Sequence, residues 1–318
     1  MLTLATLLAG GYGSVDFLQQ VEGGITLGAV YALIALGYTL VYGIIELINF
    51  AHGDVFMWST VVTFIIVQAF GIVRPPAGIA LVGLLVLLIL VGMAVSATLN
   101  VTIEFVAYRR LRKAPRLAPL IAAIGVSFVL ETIVALWRGA DPVAFTTIFP
   151  TDRFFIFGVK VRYLDIFILV LALGLMYALS VFIQRTRMGR AMRAVAQDPE
   201  AAALMGVNIN RTISLTFLIG GALAGAAGVI YNMYSGQVWF FTGFELGLIA
   251  FTAAVLGGIG NIYGAVLGGF AIGLIQSLAI HYIPNGTTLS DAVVFAILVL
   301  ILVLRPSGLL GQQVPNKV

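Results

Sequence analysis

The chain has 318 residues, of which 61% are hydrophobic and only 9% charged, with a mean hydropathy of +1.11. A soluble domain carries roughly 25% charged residues, so the composition excludes that class and predicts an all-α, polytopic transmembrane helical bundle. The formal net charge of +4 comes from basic residues grouped in a few loops, which reports membrane orientation rather than nucleic-acid binding, and the absence of cysteine excludes disulfides and thiolate metal sites.

Leu2–Leu8 is apolar but too short to span, and no Lys or Arg precedes it as a secretory signal requires. Residues 1–20 are expected to form an interfacial or half-inserted segment. The first clear span is about Val21–Ile45, running into Glu46-Leu47-Ile48-Asn49-Phe50-Ala51-His52-Gly53-Asp54. A second covers about Val55–Val73 and closes at Arg74-Pro75-Pro76, and a third covers about Ile79–Val106. A basic loop with Arg109, Arg110, Arg112, Lys113 and Arg116 precedes the fourth span, about Leu117–Trp137. After a mixed-charge connection, Arg138–Arg162, the fifth span covers about Leu164–Ile183.

The longest polar interruption follows, Arg185 to Arg211. The sixth span, about Thr212–Tyr231, carries Gly220, Gly221, Gly225 and Gly228, and an aromatic-rich loop ends it. The seventh, about Phe244–Leu256, is short and breaks at Gly257-Gly258-Ile259-Gly260, a candidate broken helix. The eighth covers about Ile262–Tyr282 and the last about Leu289–Leu304. These make about eight or nine spans, eight if the Gly257 region is re-entrant. No linker resembles a domain boundary, so residues 1–318 read as one domain.

Loops 108–116 and 185–211 together hold ten Lys or Arg, and positive loops favour the cytoplasm. Counting spans from them places the C-terminus, His52 and the Gly257 break towards the cytoplasm and the 138–162 connection outside. Within the central loop, Asp198 is placed to cap a helix, Pro199 suits its first position and Glu200 complements its positive end. Ala201, Ala202, Ala203, Leu204 and Met205 favour helix, and Gly206 is placed to end it left-handed. About two turns result, too short to persist alone in water. Either the membrane domain or a partner must hold it, and a partner protein is the expected support.

Catalytic signatures are missing. Gly257-Gly258-Ile259-Gly260 lacks the Lys of a phosphate loop, neither HExxH nor GxSxG occurs, and the chain has just two histidines, His52 and His281. The chain is expected to be no enzyme and to hold no metal or cofactor itself.

Glu200-Ala201-Ala202 followed by Gly206 fits the EAA---G pattern of bacterial ABC importer permeases. Gly23-Gly24-Ile25-Thr26-Leu27-Gly28, Gly37-Tyr38-Thr39-Leu40-Val41-Tyr42-Gly43, Ile48-Asn49-Phe50-Ala51-His52-Gly53-Asp54, Arg187-Met188-Gly189-Arg190-Ala191 and Phe251–Gly260 narrow it. Together they resemble the LivH-type permeases of branched-chain amino acid ABC importers, over about Val21–Leu310. No Leu-Pro follows Gly206 at a distance, as it does in many other importer permeases, so residue-level analogy stops at this family.

The resemblance implies that Gly189, Asp198, Glu200, Ala201, Ala202 and Gly206 form the coupling segment that docks on the ATPase. It implies two cytosolic ATP-binding subunits carrying ATP and Mg, a second, LivM-like permease, and a periplasmic or extracellular substrate-binding protein. The chain itself would sit in the bacterial inner membrane and move an aliphatic amino acid by alternating access. Glu200 can pair with a basic residue on the ATPase or simply complement its own helix. Arg187, Arg190 and Arg193 read first as lipid-headgroup charges.

The candidate gate comprises Asn49, His52 and Asp54 with Tyr38 and Tyr42, and Trp239 and Phe240 are further candidate pathway walls. The alternative is a capped helix break at a cytoplasmic edge, with Asn49 or Asp54 satisfying backbone groups. Glu104 and Glu131 are expected near the ends of their spans, and no mid-span ionisable pair is evident. That argues against a stand-alone channel or ion-coupled transporter. Sister permeases for urea or short-chain amides remain a second substrate reading.

Overall fold

The computed structural model describes residues 14–112, 114–115, 117–305 and 307–311. Lys113, Arg116 and the chain ends, on which some of the sequence expectations fall, lie outside the described residues.

Every predicted span has a helix. They are α1 (Ser14–Ile45), α2 (His52–Ala69), α3 (Ile79–Leu111, including a π turn at Glu104–Tyr108), α4 (Leu117–Arg138) and α5 (Tyr163–Arg185). The central loop contributes α6 (Arg187–Gln197) and α7 (Pro199–Leu204). Then come α8 (Ile209–Ser235), α9 (Thr242–Gly257), α10 (Ile262–Tyr282) and α11 (Gly286–Leu304). Among the described residues, seven helices are long and apolar enough to cross a membrane: α1, α3, α4, α5, α8, α10 and α11. The 18-residue α2 and 16-residue α9 complete the bundle; α2 carries polar Ser59, Thr60 and Thr63 on buried faces.

Two small antiparallel ladders lie outside the spans. β1 (Val143–Ala144) pairs with β4 (Gln237–Val238), and β2 (Arg153–Ile156) pairs with β3 (Val159–Arg162). The α1 helix begins at Ser14, so residues 14–20 continue the first span rather than forming a separate interfacial piece. At 32 residues it is about 48 Å long, more than the ~30 Å of bilayer hydrocarbon.

The centre of the bundle is α1, against which α10, α8 and α9 pack; α3 lies on α8, α5 on α1, α11 on α10, and α4 rests at the edge on α2. Close approach sets these pairings. A Cβ on Gly28 would come within 2.7 Å of the Phe270 Cα, so α1 and α10 meet at backbone distance. Polar side chains in the core satisfy carbonyls of neighbouring helices. Ser59 Oγ donates to the Gly225 carbonyl at 2.7 Å, Ser96 Oγ to Val55 at 2.8 Å and Asn232 Nδ2 to Thr60 at 2.7 Å. Tyr31 reaches Gln276 Oε1 at 2.5 Å, and Gln276 Nε2 reaches Asp291 at 3.0 Å.

The two ends of the bundle differ. One gathers the C-terminal end of α3, the central loop, the α9–α10 turn and residues 307–311. At the other, Gln19 on α1 clasps Lys160 of β3, donating to its carbonyl at 3.0 Å and accepting its N–H at 2.8 Å.

Candidate functional site

The central loop folds from its own capping residues. Thr186 Oγ1 accepts the Gly189 N–H at 3.0 Å and starts α6. A Cβ on Gly189 would run into the carbonyls of Phe182 and Ile183, so glycine lets α6 lie against the end of α5. Met192 and Val195 are buried towards the bundle. Arg193 donates to the Ile183 carbonyl, so it caps α5 rather than standing as a headgroup charge.

Asp198 Oδ1 accepts the N–H groups of Glu200 and Ala201 at 2.9 and 3.0 Å and starts α7, with Pro199 at its first position. Val207 N–H bonds back to the Ala202 carbonyl and Gly206 N–H to Ala203, a Schellman closure with Gly206 left-handed at φ 84°. The helix is six residues long, about 9 Å. Ala202 alone of these six is buried, while Glu200 and Ala201 are exposed. Leu204 and Met205 stand out at 89% and 84% exposed, an apolar tip on a projecting polar loop.

The tip is tied to the membrane helices. Asn208 Oδ1 caps α8 through the Arg211 N–H at 3.0 Å. One turn on, Ser214 Oγ donates to Glu104 Oε2 at 2.8 Å. Glu104 is fully buried; it accepts Arg109 Nε at 3.2 Å and Nη2 at 3.0 Å and pairs with Arg112, which in turn bonds Asn210 at 2.7 Å. The π turn at Glu104–Tyr108 widens one helical turn where both arginines fold back onto that carboxylate.

The candidate gate is a re-entrant feature. Glu46, left-handed at φ 53°, ends α1, and residues 46–51 turn back into the bundle. Tyr108 OH holds the Ile48 carbonyl at 2.9 Å. His52, the first residue of α2, packs where a Cβ on Gly37 would overlap its ring. Gly37 lies eight residues before the end of α1, about 12 Å inwards. The start of α2 therefore sits well inside the bundle, which corrects the expectation of a cytoplasmic edge.

The five gate residues share this layer but face different neighbours. Tyr38 packs edge-on to His52 with ring centroids 4.7 Å apart, and Tyr42 lines the same small void with Ile48 and Phe251. Asn49 Nδ2 donates to Asn100 Oδ1 at 3.1 Å, and Asn100 Nδ2 to the Phe217 carbonyl at 2.7 Å. Neither His52 nor Asp54 makes a hydrogen bond of ordinary geometry from its side chain, although both are fully buried. Ala51 at the N-cap has no polar side chain to cap with, and the Asn49 side chain bonds Asn100 and Tyr108 rather than backbone, so Asn49 does not cap the break.

Ser127 and Glu131 of α4 face the Asp54 carboxyl, and a Cβ on Gly243 would lie 2.7 Å from Asp54 Oδ1. Glu131 is buried, fourteen residues into its helix, and its Oε1 is also without a partner. Two carboxyl groups thus meet mid-bundle, contrary to the expected absence of such a pair. Glu131 lies 77 positions from Asp54, and no local sequence signal links them.

At the other break, α9 ends at Gly257, with Gly258 at φ 104° and Gly260 at φ 92°. Residues Leu309 and Leu310 donate to the Leu256 and Gly257 carbonyls at 2.8 and 3.0 Å, and Asn261 Nδ2 reaches the Leu310 carbonyl at 2.9 Å. Gly257 and Gly258 admit the C-terminal segment, while Gly260 faces Gly43 and lines a cavity of about 120 Å³ with Met192 and Arg193. Trp239 and Phe240 lie apart from the gate layer, Trp239 bonding the Ala140 carbonyl beside the β1–β4 ladder.

The family described as branched-chain amino acid transport system, permease component, matches residues 20–302. The chain belongs to this family. The permease is 42% identical over 308 residues to the high-affinity branched-chain amino acid transport system permease protein LivH of Escherichia coli K12, covering 95% of this chain and 98% of that protein. It is 42% identical over 309 residues to BraD of Pseudomonas aeruginosa, with the same coverage. Identity to the probable LivH of Methanocaldococcus jannaschii is 28% over 296 residues, 91% of each chain. No solved structure matches the permease. It is a multi-pass membrane transport component rather than an enzyme.

Proposed function

We propose that the permease is the membrane subunit of an ABC importer for branched-chain amino acids, driven by a separate cytosolic ATPase. The near full-length similarity to LivH and BraD, whose names give branched-chain amino acid transport, carries the reading. The geometry of the central loop supports it. The capped α7 offers exposed Leu204 and Met205 to a partner, and Asn208, Ser214 and Glu104 connect it to α8 and α3. A push on α7 is delivered to two spans through bonded contacts, as rigid-body alternating access requires.

In this reading the basic end of the bundle and the C-terminus face the cytoplasm, following the positive-inside rule. Two ATP-binding subunits, each with ATP and Mg, dock there in a cytoplasmic (inner) membrane assembly. A second, LivM-like permease completes the membrane part, and a substrate-binding protein delivers substrate at the opposite face. An ATP-independent channel or ion-coupled transporter is not favoured by the Asp54–Glu131 pair alone, because the family assignment points to a driven permease.

The test is uptake of labelled leucine, isoleucine, valine and urea by the reconstituted assembly with its binding protein, with and without ATP. ATP-dependent uptake of the aliphatic amino acids supports the proposal. Undiminished uptake without ATP, or uptake of urea alone, overturns it.

A further inference from the structure

At the end of the bundle opposite the central loop, a cavity of about 550 Å³ opens between the start of α1, the β2–β3 hairpin and the start of α5. Its wall carries both signs of charge: Asp16, Glu22 and Asp165 face Arg153, Lys160 and Arg162. Arg162 is committed to Asp165, bonding it at 2.6–3.1 Å, and that carboxylate holds its guanidinium above the ordinary arginine range. Glu22 also faces Asp165 and Arg162, but its hydrogen bonds are fewer. Its Oε2 accepts Gln19 Nε2 at 3.3 Å, while its buried Oε1 has no hydrogen-bond partner.

A second cavity, about 330 Å³ and almost wholly apolar, adjoins the first and shares Glu22 and Asp165 with it. Leu18, Val21 and Ile25 of α1 and Ile166 and Leu169 of α5 form its sides. Along α1 this apolar stretch covers Leu18 to Thr26, about 12 Å. A charged chamber and a short apolar one meeting at a carboxylate match a small zwitterion that bears an aliphatic side chain.

We infer that this double cavity is an outer binding site on the permease itself for the free aliphatic amino acid. Glu22 receives the ammonium group, Arg153 and Lys160 receive the carboxylate, and the α1–α5 cleft receives the side chain. The inference rests on the importer reading and adds a recognition step on the permease, beyond any selection by the binding protein. A zwitterionic phospholipid has the same headgroup chemistry with a longer tail, and the apolar chamber has room for part of an acyl chain as well as for a leucine side chain, so the experiment separates the two.

The experiment measures equilibrium binding of labelled leucine to the permease assembly in phosphatidylcholine nanodiscs, without the binding protein. Competitors are 4-methylpentanoate, which lacks the ammonium group, and 3-methylbutylamine, which lacks the carboxylate. Leucine is expected to bind, each competitor to be weaker by roughly ten-fold, and Glu22→Gln to weaken leucine by about the same factor. Glu22→Asp is expected to recover part of the loss, which a merely misfolded variant cannot do. Absence of leucine binding to the intact protein, equal competition by 4-methylpentanoate, or an unaffected Glu22→Gln overturns the inference. So does a site that retains added phosphatidylethanolamine and binds no leucine. ATP-driven leucine uptake measured alongside separates the cases. If uptake is intact but the binding test fails, only the outer site falls; if uptake itself is absent, the importer reading falls with it.

Discussion

Ser214 Oγ donates to Glu104 Oε2 at 2.8 Å, joining the second turn of α8 to the π turn of α3. Ser214 stands nine residues after Met205, so this bond links the exposed tip of the central loop to the span that lies along α8. The Glu104→Ala change leaves Arg109 and Arg112 without their shared carboxylate. Both arginines are partly solvent-exposed, so the loss is set between exposed and buried pairs, at about 2 kcal/mol. Thermal unfolding of the purified permease checks this, and Ser214→Ala is expected to lose about 1 kcal/mol. Equal stability of Glu104→Ala and the parent protein contradicts a structural role for the network.

Gly206 closes α7 in the left-handed region with open space around it. Gly206→Ala therefore meets backbone strain but no clash, and is expected to cost about 1 kcal/mol of local helix stability. Gly206→Pro cannot adopt φ 84° and removes the N–H that bonds Ala203, so it is expected to unwind the turn. Hydrogen exchange at Ala202–Val207 should rise slightly in the first variant and strongly in the second. The same rate in both variants counts against the Schellman closure.

The fit of Gly189 against the end of α5 predicts the opposite pattern. There φ is ordinary and space is the constraint, so Gly189→Val should detach α6 while Thr186→Val should only weaken its start, by about 1 kcal/mol. Protease accessibility of the 185–197 segment distinguishes the two, and resistance in Gly189→Val refutes the close packing.

Phe157 lies left-handed at φ 50° in the two-residue turn between β2 and β3, ahead of Gly158 at φ 86°. Such a turn favours Asn at the first position. Phe157→Asn is expected to stabilise the hairpin by about 1 kcal/mol, seen as slower hydrogen exchange at the Val159 amide. Faster exchange shows that the Phe157 ring contributes more than its backbone strain costs.

These differences follow how far each feature reaches along the chain. The stretch from Asp198 to Gly206 was readable because a cap, a first-position proline and a terminal glycine act on neighbouring backbone groups. The α6 helix was missed; its buried positions Gly189, Met192 and Val195 recur every three residues, but the surrounding arginines mask that spacing. The depth of His52 and the meeting of Asp54 with Glu131 were not readable. Both depend on residues 46–51 turning inwards, which follows from Tyr108 holding the Ile48 carbonyl, a contact 60 positions apart. A hydropathy reading places a polar segment at the membrane edge, whereas here neighbouring helices satisfy it inside.

The central claim, that α7 carries the drive from an ATPase into the bundle, is tested most directly by substrate-stimulated ATP hydrolysis in the reconstituted assembly. Intact permease is compared with Glu200→Arg and with the Leu204→Glu, Met205→Glu double variant, whose side chains are exposed and take no part in the bonds that cap α7. The account predicts that leucine with its binding protein stimulates hydrolysis by the intact assembly, and that the double variant loses both stimulation and uptake. Stimulation and uptake at the parent level in the double variant would contradict it.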